Sequence, residues 1–163
     1  MLQPPRAHGW MHQMTCPREL QYRDGKLWQT PVRELAALRE EEQHWQGRAS
    51  DAPVLDAARL EFELSASQVN VDFAGALRLT VDEQGVRLER ASLKTGETLT
   101  RYWQGDVHHL RVLCDRSSVE IFINHGEGVM SSRYFPDHPA RVRFEGASDI
   151  TLRYWSLRAC MIE

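Results

Sequence analysis

The chain has 163 residues, 42% hydrophobic and 26% charged, a globular composition that excludes disorder and suffices for one domain-sized core. A formal net charge of −3 excludes a strongly basic nucleic-acid binder, and no apolar run is long enough to span a bilayer. Cys16, Cys114 and Cys160 are scattered and form no CxxC pair, and Met1-Leu2-Gln3-Pro4-Pro5-Arg6 is no signal sequence, so the expectation is a reducing, cytoplasmic setting without a disulfide framework.

Met14 to Tyr22 and Lys26 to Gln29 read as two strands joined at Asp24-Gly25, a dipeptide suited to the positive φ angles of a tight hairpin. A lone hairpin is marginal in water, so residues 8–30 need a surface to pack on. Thr30-Pro31 opens a predicted helix over 31–42. Thr30 suits the N-cap and Pro31 the first helical position, while Val32, Leu35 and Leu38 form a stripe beside Arg33, Glu34, Glu40 and Glu41. Gly47-Arg48-Ala49-Ser50 reads as a linker.

From Asp51 onward the dominant signal is period-two alternation. Leu60-Glu61-Phe62-Glu63-Leu64, Leu77-Arg78-Leu79-Thr80-Val81, Val119-Glu120-Ile121 and Ile150-Thr151-Leu152-Arg153 each put apolar side chains on one face and polar ones on the other. Turn signals at Asp82-Glu83-Gln84-Gly85, Lys94-Thr95-Gly96-Glu97 and Asn124-His125-Gly126-Glu127 separate such runs. The pattern predicts an all-β fold, an antiparallel β-sandwich of two sheets. Its core is expected to hold Leu60, Phe62, Leu64, Leu77, Leu79, Val81, Leu88, Leu110, Val112, Val119, Ile121, Ile123, Val142, Phe144, Ile150 and Leu152, with Glu120 facing away from it.

Candidate chemistry is sparse. His108 and His109 point to opposite faces of a strand and His8 and His12 precede one, so no ligand set converges on a metal. No cofactor is expected: Gly126-Glu127-Gly128-Val129-Met130-Ser131 lies between strands, where a dinucleotide fingerprint must open a helix. The basic residues are 18 Arg and 2 Lys, and the arginines alternate with apolar residues along the strands, which reads as solvent-facing positions rather than a phosphate site. Trp10, Trp28, Trp45, Trp103 and Trp155 read first as packing or interface residues. Trp103, after Arg101-Tyr102, is the best-placed candidate for a sugar platform.

Trp10-Met11-His12-Gln13-Met14-Thr15-Cys16-Pro17-Arg18-Glu19-Leu20, then Asp24-Gly25-Lys26-Leu27 and Gln29-Thr30-Pro31-Val32, resembles the exit from the catalytic propeller of glycoside hydrolase family 32, which includes sucrose-6-phosphate hydrolases and invertases. Asp115-Arg116-Ser117-Ser118-Val119-Glu120-Ile121-Phe122-Ile123-Asn124-His125-Gly126-Glu127, followed by Met130-Ser131-Ser132-Arg133 and Pro136, resembles the signature of the family's C-terminal β-sandwich. The sequence departs from that pattern at His12 and Gln13, where small residues are usual, and at His125, often Asp. The resemblance implies that residues 1–30 are a remnant of the last propeller blade, 31–50 a linker helix and loop, and 51–163 the C-terminal sandwich of a truncated β-fructofuranosidase.

The family's Trp-Met-Asn-Asp-Pro-Asn-Gly, Arg-Asp-Pro and Glu-Cys motifs, which carry its catalytic carboxylates, do not occur in these residues. Retaining hydrolysis needs two positioned carboxylates, so no catalytic residue is assigned and the chain alone is expected to be inactive. The expected role is structural or in assembly. The alternatives are a carbohydrate-binding sandwich, or hydrolysis only when complemented by a propeller chain. Through residues 8–30, or through the propeller-facing side of the sandwich, the chain is expected to form a homodimer with Trp10, Met11, Met14 and Trp28 in or beside the contact. The other arrangement is a hairpin folded back on its own sandwich.

Overall fold

The computed structural model describes residues 13–92, 94–136 and 141–160; Trp10, Met11 and His12 lie outside the described residues. Asp24-Gly25 makes the expected turn, with φ angles of 52° and 75°, between β1 (Arg18–Arg23) and β2 (Lys26–Pro31). The remaining strands are β3 (Gln43–Arg48), β4 (Leu55–Asp56), β5 (Leu60–Ser65), β6 (Val69–Phe73), β7 (Leu77–Asp82), β8 (Gly85–Ala91), β9 (Thr98–Gln104), β10 (Leu110–Asp115), β11 (Ser118–Ile123), β12 (Gly128–Arg133), β13 (Arg141–Glu145) and β14 (Asp149–Ser156). They form two antiparallel sheets, in the orders β12-β11-β10-β5-β14-β3 and β4-β13-β6-β7-β8-β9, which pack as a sandwich.

Register carries the alternation across the sheets. Leu64 lies between Leu110 and Leu152, and Phe62 between Val112 and Tyr154, so their side chains share the inner face. Phe62 meets Phe144 of the opposite sheet edge-on, ring centroids 5.6 Å apart, and Phe73 at 6.3 Å. Every residue expected in the core is buried. Glu120 does point away from that core, yet it is only 6% exposed, because the segment from Cys16 to Arg18 lies over it.

The segments around the hairpin and linker differ from the sequence expectation in four ways. Thr30 and Pro31 finish β2, and the Val32 N–H donates to the Pro17 carbonyl, continuing the hairpin instead of opening a helix. Arg33–Leu38 is a short 3₁₀ segment with no side-chain cap. Val32, Leu35 and Leu38 recur at every third residue, the period of a 3₁₀ turn, and these three are half-buried. Gln43–Arg48, expected as linker, is β3, paired with β14 along its whole length. Trp45 opposite Leu152 and Gly47 opposite Ile150 mark its inner face, and a glycine at an inward position hides the alternation. Finally, β1 begins at Arg18, not Met14: the Cys16 N–H is spent on the Glu120 carboxylate, and Met14 is 91% exposed.

Candidate functional site

The outer face of the first sheet carries a charge cluster at its centre. Glu61, on the polar phase of β5, is 0% exposed. It accepts from Arg39 Nε at 2.9 Å and from Arg111 Nε at 2.6 Å. Arg39 comes from the linker, where the bridge between Arg39 and Leu157 holds it against β14, and its guanidinium lies 3.8 Å from the centroid of the Trp155 ring. Beside it, Glu63 faces His109 at 3.7 Å and Arg153 at 3.5 Å.

The shifted carboxyls of this chain move away from the direction a general acid requires. The nearby His109, with the charges of Arg153 and Arg39, outweighs burial and lowers the Glu63 carboxyl below the ordinary range. Glu127 is lowered by Lys26 and Asn124, and Glu42 by Arg153 and His44. A general acid needs the opposite shift. Among the described residues no group of three His, Cys, Asp or Glu side chains is placed to hold a metal ion, and no helix is long and apolar enough to cross a membrane.

The hairpin joins its own sandwich along a second polar seam. Arg18 donates to Glu120 at 2.7 Å, to Ser131 Oγ at 3.0 Å and to Gln29 at 3.0 Å. The Cys16 N–H reaches the same carboxylate at 2.7 Å, and burial together with Glu120 pushes the Cys16 thiol up to about 12. Lys26 pairs with Glu127 at 2.9 Å. Gln13, one of the departures from the family pattern, bonds the hydroxyls of Ser117 and Ser118.

Of the residues singled out from sequence, Trp28 and Trp103 come together. They line one groove of about 650 Å³ between hairpin and sandwich, with Arg23, Asp106, Asn124 and Glu127. Gly128 has no Cβ where one would stand 2.3 Å from Trp103 Nε1, so the indole fits against the β12 backbone. The Arg23 guanidinium lies 4.5 Å from the centre of the Trp28 ring. Asn124 ties this end together, accepting from the His108 N–H at 2.8 Å and donating to the Asp106 carbonyl at 2.7 Å. His125, in the turn with φ 60°, stacks on His109 with centroids 4.1 Å apart. Met14 sits apart from this groove, exposed on the side of Glu120. The residues that sequence reading missed are Arg39, Glu61 and Arg111. Glu61 and Arg111 look like any solvent-facing strand positions, and only the path of the linker shows that Arg39 covers them.

Residues 57–156 match the family model described as Glycosyl hydrolases family 32 C terminal. The chain is 52% identical, over 100% of its length, to a sucrose-6-phosphate hydrolase of Klebsiella pneumoniae, and 49% identical, again over 100% of its length, to one of Salmonella typhimurium. In both cases it spans 34% of the relative, about a third of that protein's length. Among solved structures, the sucrose-6-phosphate hydrolase of Lactobacillus gasseri superposes with a TM-score of 0.69 at 23% identity, covering 88% of this chain and 33% of that one. A beta-fructofuranosidase of Bombyx mori gives a TM-score of 0.67 at 23% identity, covering 88% of this chain and 32% of that one. At this identity the two structures bear on the fold alone; the family model and the two bacterial relatives bear on descent. The chain belongs to glycoside hydrolase family 32 and carries that family's C-terminal β-sandwich domain.

Proposed function

We propose that the chain is the bracing and assembly module of a sucrose-6-phosphate-cleaving β-fructofuranosidase, turning over no fructoside by itself. The hairpin carries this reading. It is fastened to the sandwich at both ends, by Arg18–Glu120 at its base and by Lys26–Glu127 beside its turn. Its far face shows Leu20, Tyr22 and Leu27 to solvent at 61%, 78% and 51% exposure, and among the described residues no strand lies beside the outer edge of β1. An apolar strand face with a free edge is a pairing surface. In the two relatives about two-thirds of the protein lies outside the match, chain enough to hold a partner for such a surface. The module is read as cytoplasmic, in keeping with its free thiols at Cys16, Cys114 and Cys160.

The test is complementation. Mixed with the unmatched two-thirds of the Klebsiella pneumoniae relative, the chain should form a complex that hydrolyses sucrose 6-phosphate, while the purified chain alone gives none. Turnover by the chain alone that survives repurification, and that disappears when one of its own carboxylates is substituted, would sink the reading.

Without such a partner the same face joins a second copy. Light scattering at tens of micromolar should report a homodimer for the unaltered chain and a monomer for Tyr22→Lys, which puts a charge at the centre of the exposed face. A monomer in both samples, or a dimer in both, removes the hairpin as the interface.

A further inference from the structure

Two arginines do not sit where the sequence pattern puts the rest. The register of β8 and β9 pairs Val86 with Trp103, Leu88 with Arg101 and Arg90 with Leu99. Val86 and Leu88 are core residues, so Arg90 and Arg101 continue the inward-facing rows of their strands. They do so at the open side of the sandwich, where β9 and β12 are the edge strands of the two sheets. Trp103 closes one end of this seam against Gly128. Farther along, a cavity of about 220 Å³ opens, lined by Arg90, Arg101 and Arg133 with Ser118, Ser131 and Glu120.

Two of these guanidiniums, Arg90 and Arg101, have no acidic partner among the described residues. Arg101 donates to the Ser131 carbonyl at 2.9 Å and Arg90 to the Ala91 carbonyl at 2.9 Å, and among the described residues neither forms an ion pair. The one carboxylate in the lining, Glu120, is already engaged by Arg18 and by the Cys16 N–H, each at 2.7 Å. Burial, and after it the charge of Arg101, lowers the Arg90 guanidinium from its ordinary value. Two guanidinium groups that line one cavity without an acidic partner of their own, beside serine hydroxyls, suit an anion with several oxygens. A dianionic tetrahedral group answers two separate guanidiniums, whereas a planar carboxylate carries one charge and is satisfied by a single fork.

We propose that this cavity binds a phosphate monoester or inorganic phosphate, with Arg90 and Arg101 as its principal ligands. The site is made of this chain's own residues and stands whether or not the module braces a propeller. The competing explanation is that inward-pointing charges guard an edge strand against pairing with another chain.

Calorimetric titration of the full chain at matched ionic strength separates these explanations, with inorganic phosphate, glucose 6-phosphate and neutral sucrose as ligands. Both phosphates should bind saturably and sucrose should not. Arg90→Gln or Arg101→Gln should weaken phosphate binding about tenfold or more, the loss of one charge-assisted hydrogen-bonding partner. Tighter binding of glucose 6-phosphate identifies a sugar phosphate as the ligand, and equal affinities identify the free anion; both support the site. The melting temperature of each variant in phosphate-free buffer should stay level or rise, because a like-charge contact has been removed. Arg101→Gln, at an exposed residue, remains informative if the Arg90 variant does not fold. No saturable phosphate binding up to about 10 mM, a range in which even millimolar affinities register, overturns the proposal. Undiminished binding in both folded variants overturns it as well.

Discussion

Replacing Glu61 with alanine is expected to destabilise the chain by about 3–5 kcal/mol, the cost of leaving a buried ion pair with one partner missing. The carboxylate is 0% exposed, and its removal strands Arg111 and leaves Arg39 only Glu63 at 3.7 Å, on side chains 19% and 20% exposed. Neither can recover full hydration without moving the linker, because Arg39 is also stacked on Trp155. Urea unfolding measures the loss. A second readout locates it: Arg39 holds the segment leading to the hairpin, so limited proteolysis of the folded variant should cut ahead of β3 sooner than in the unaltered chain. Glu63→Ala, at a site 21% exposed, should cost far less. A Glu61→Ala penalty under about 1 kcal/mol would place that carboxylate in water and dissolve the cluster.

Phe62→Ala should cost about 3–5 kcal/mol, the range for emptying a buried aromatic site. Phe62 is 0% exposed, and its ring reaches across the sandwich to Phe73 and Phe144. Its neighbours stand on strands hydrogen-bonded into the opposite sheet and cannot collapse into the space. Tyr102→Ala is the matched control, an aromatic at 68% exposure whose loss should change stability by no more than about 0.5 kcal/mol. Equal effects from the two substitutions would mean that the inner and outer phases of the strands are exchanged.

The sandwich was legible because strand period is rigid: one slip exchanges faces, so an alternating run declares its own core. Leu60-Glu61-Phe62-Glu63-Leu64 announces inside and outside without further help. The linker was not, because its signals are ambiguous at short range. Thr30-Pro31 ends a strand as readily as it opens a helix, and a three-residue repeat such as Val32, Leu35 and Leu38 fits both helix types over so few residues. β3 was hidden by Gly47, inward yet without a side chain. The polar clusters were the least legible part. Glu61 and Glu63 are chemically the same in the sequence; the linker covers one and leaves the other at the margin. Trp28 and Trp103 were visible singly, but their shared groove depends on how the hairpin folds back. The inward direction of Arg90 continues the phase of Val86 and Leu88 along β8, whereas that of Arg101 follows only from its register with Leu88.

β14 lies between β3 and β5, and its pairing with β3 joins residues about a hundred positions apart in the chain. During synthesis β3 therefore emerges with no neighbour to bond. At about 5–20 residues per second, several seconds pass before β14 has been made. Through that interval β3, with Trp45, lacks the strand it pairs with, and the first sheet exists only as separate pieces. A nascent chain of this topology depends on whatever shields it from other chains until its last strand can be inserted between the two that wait for it.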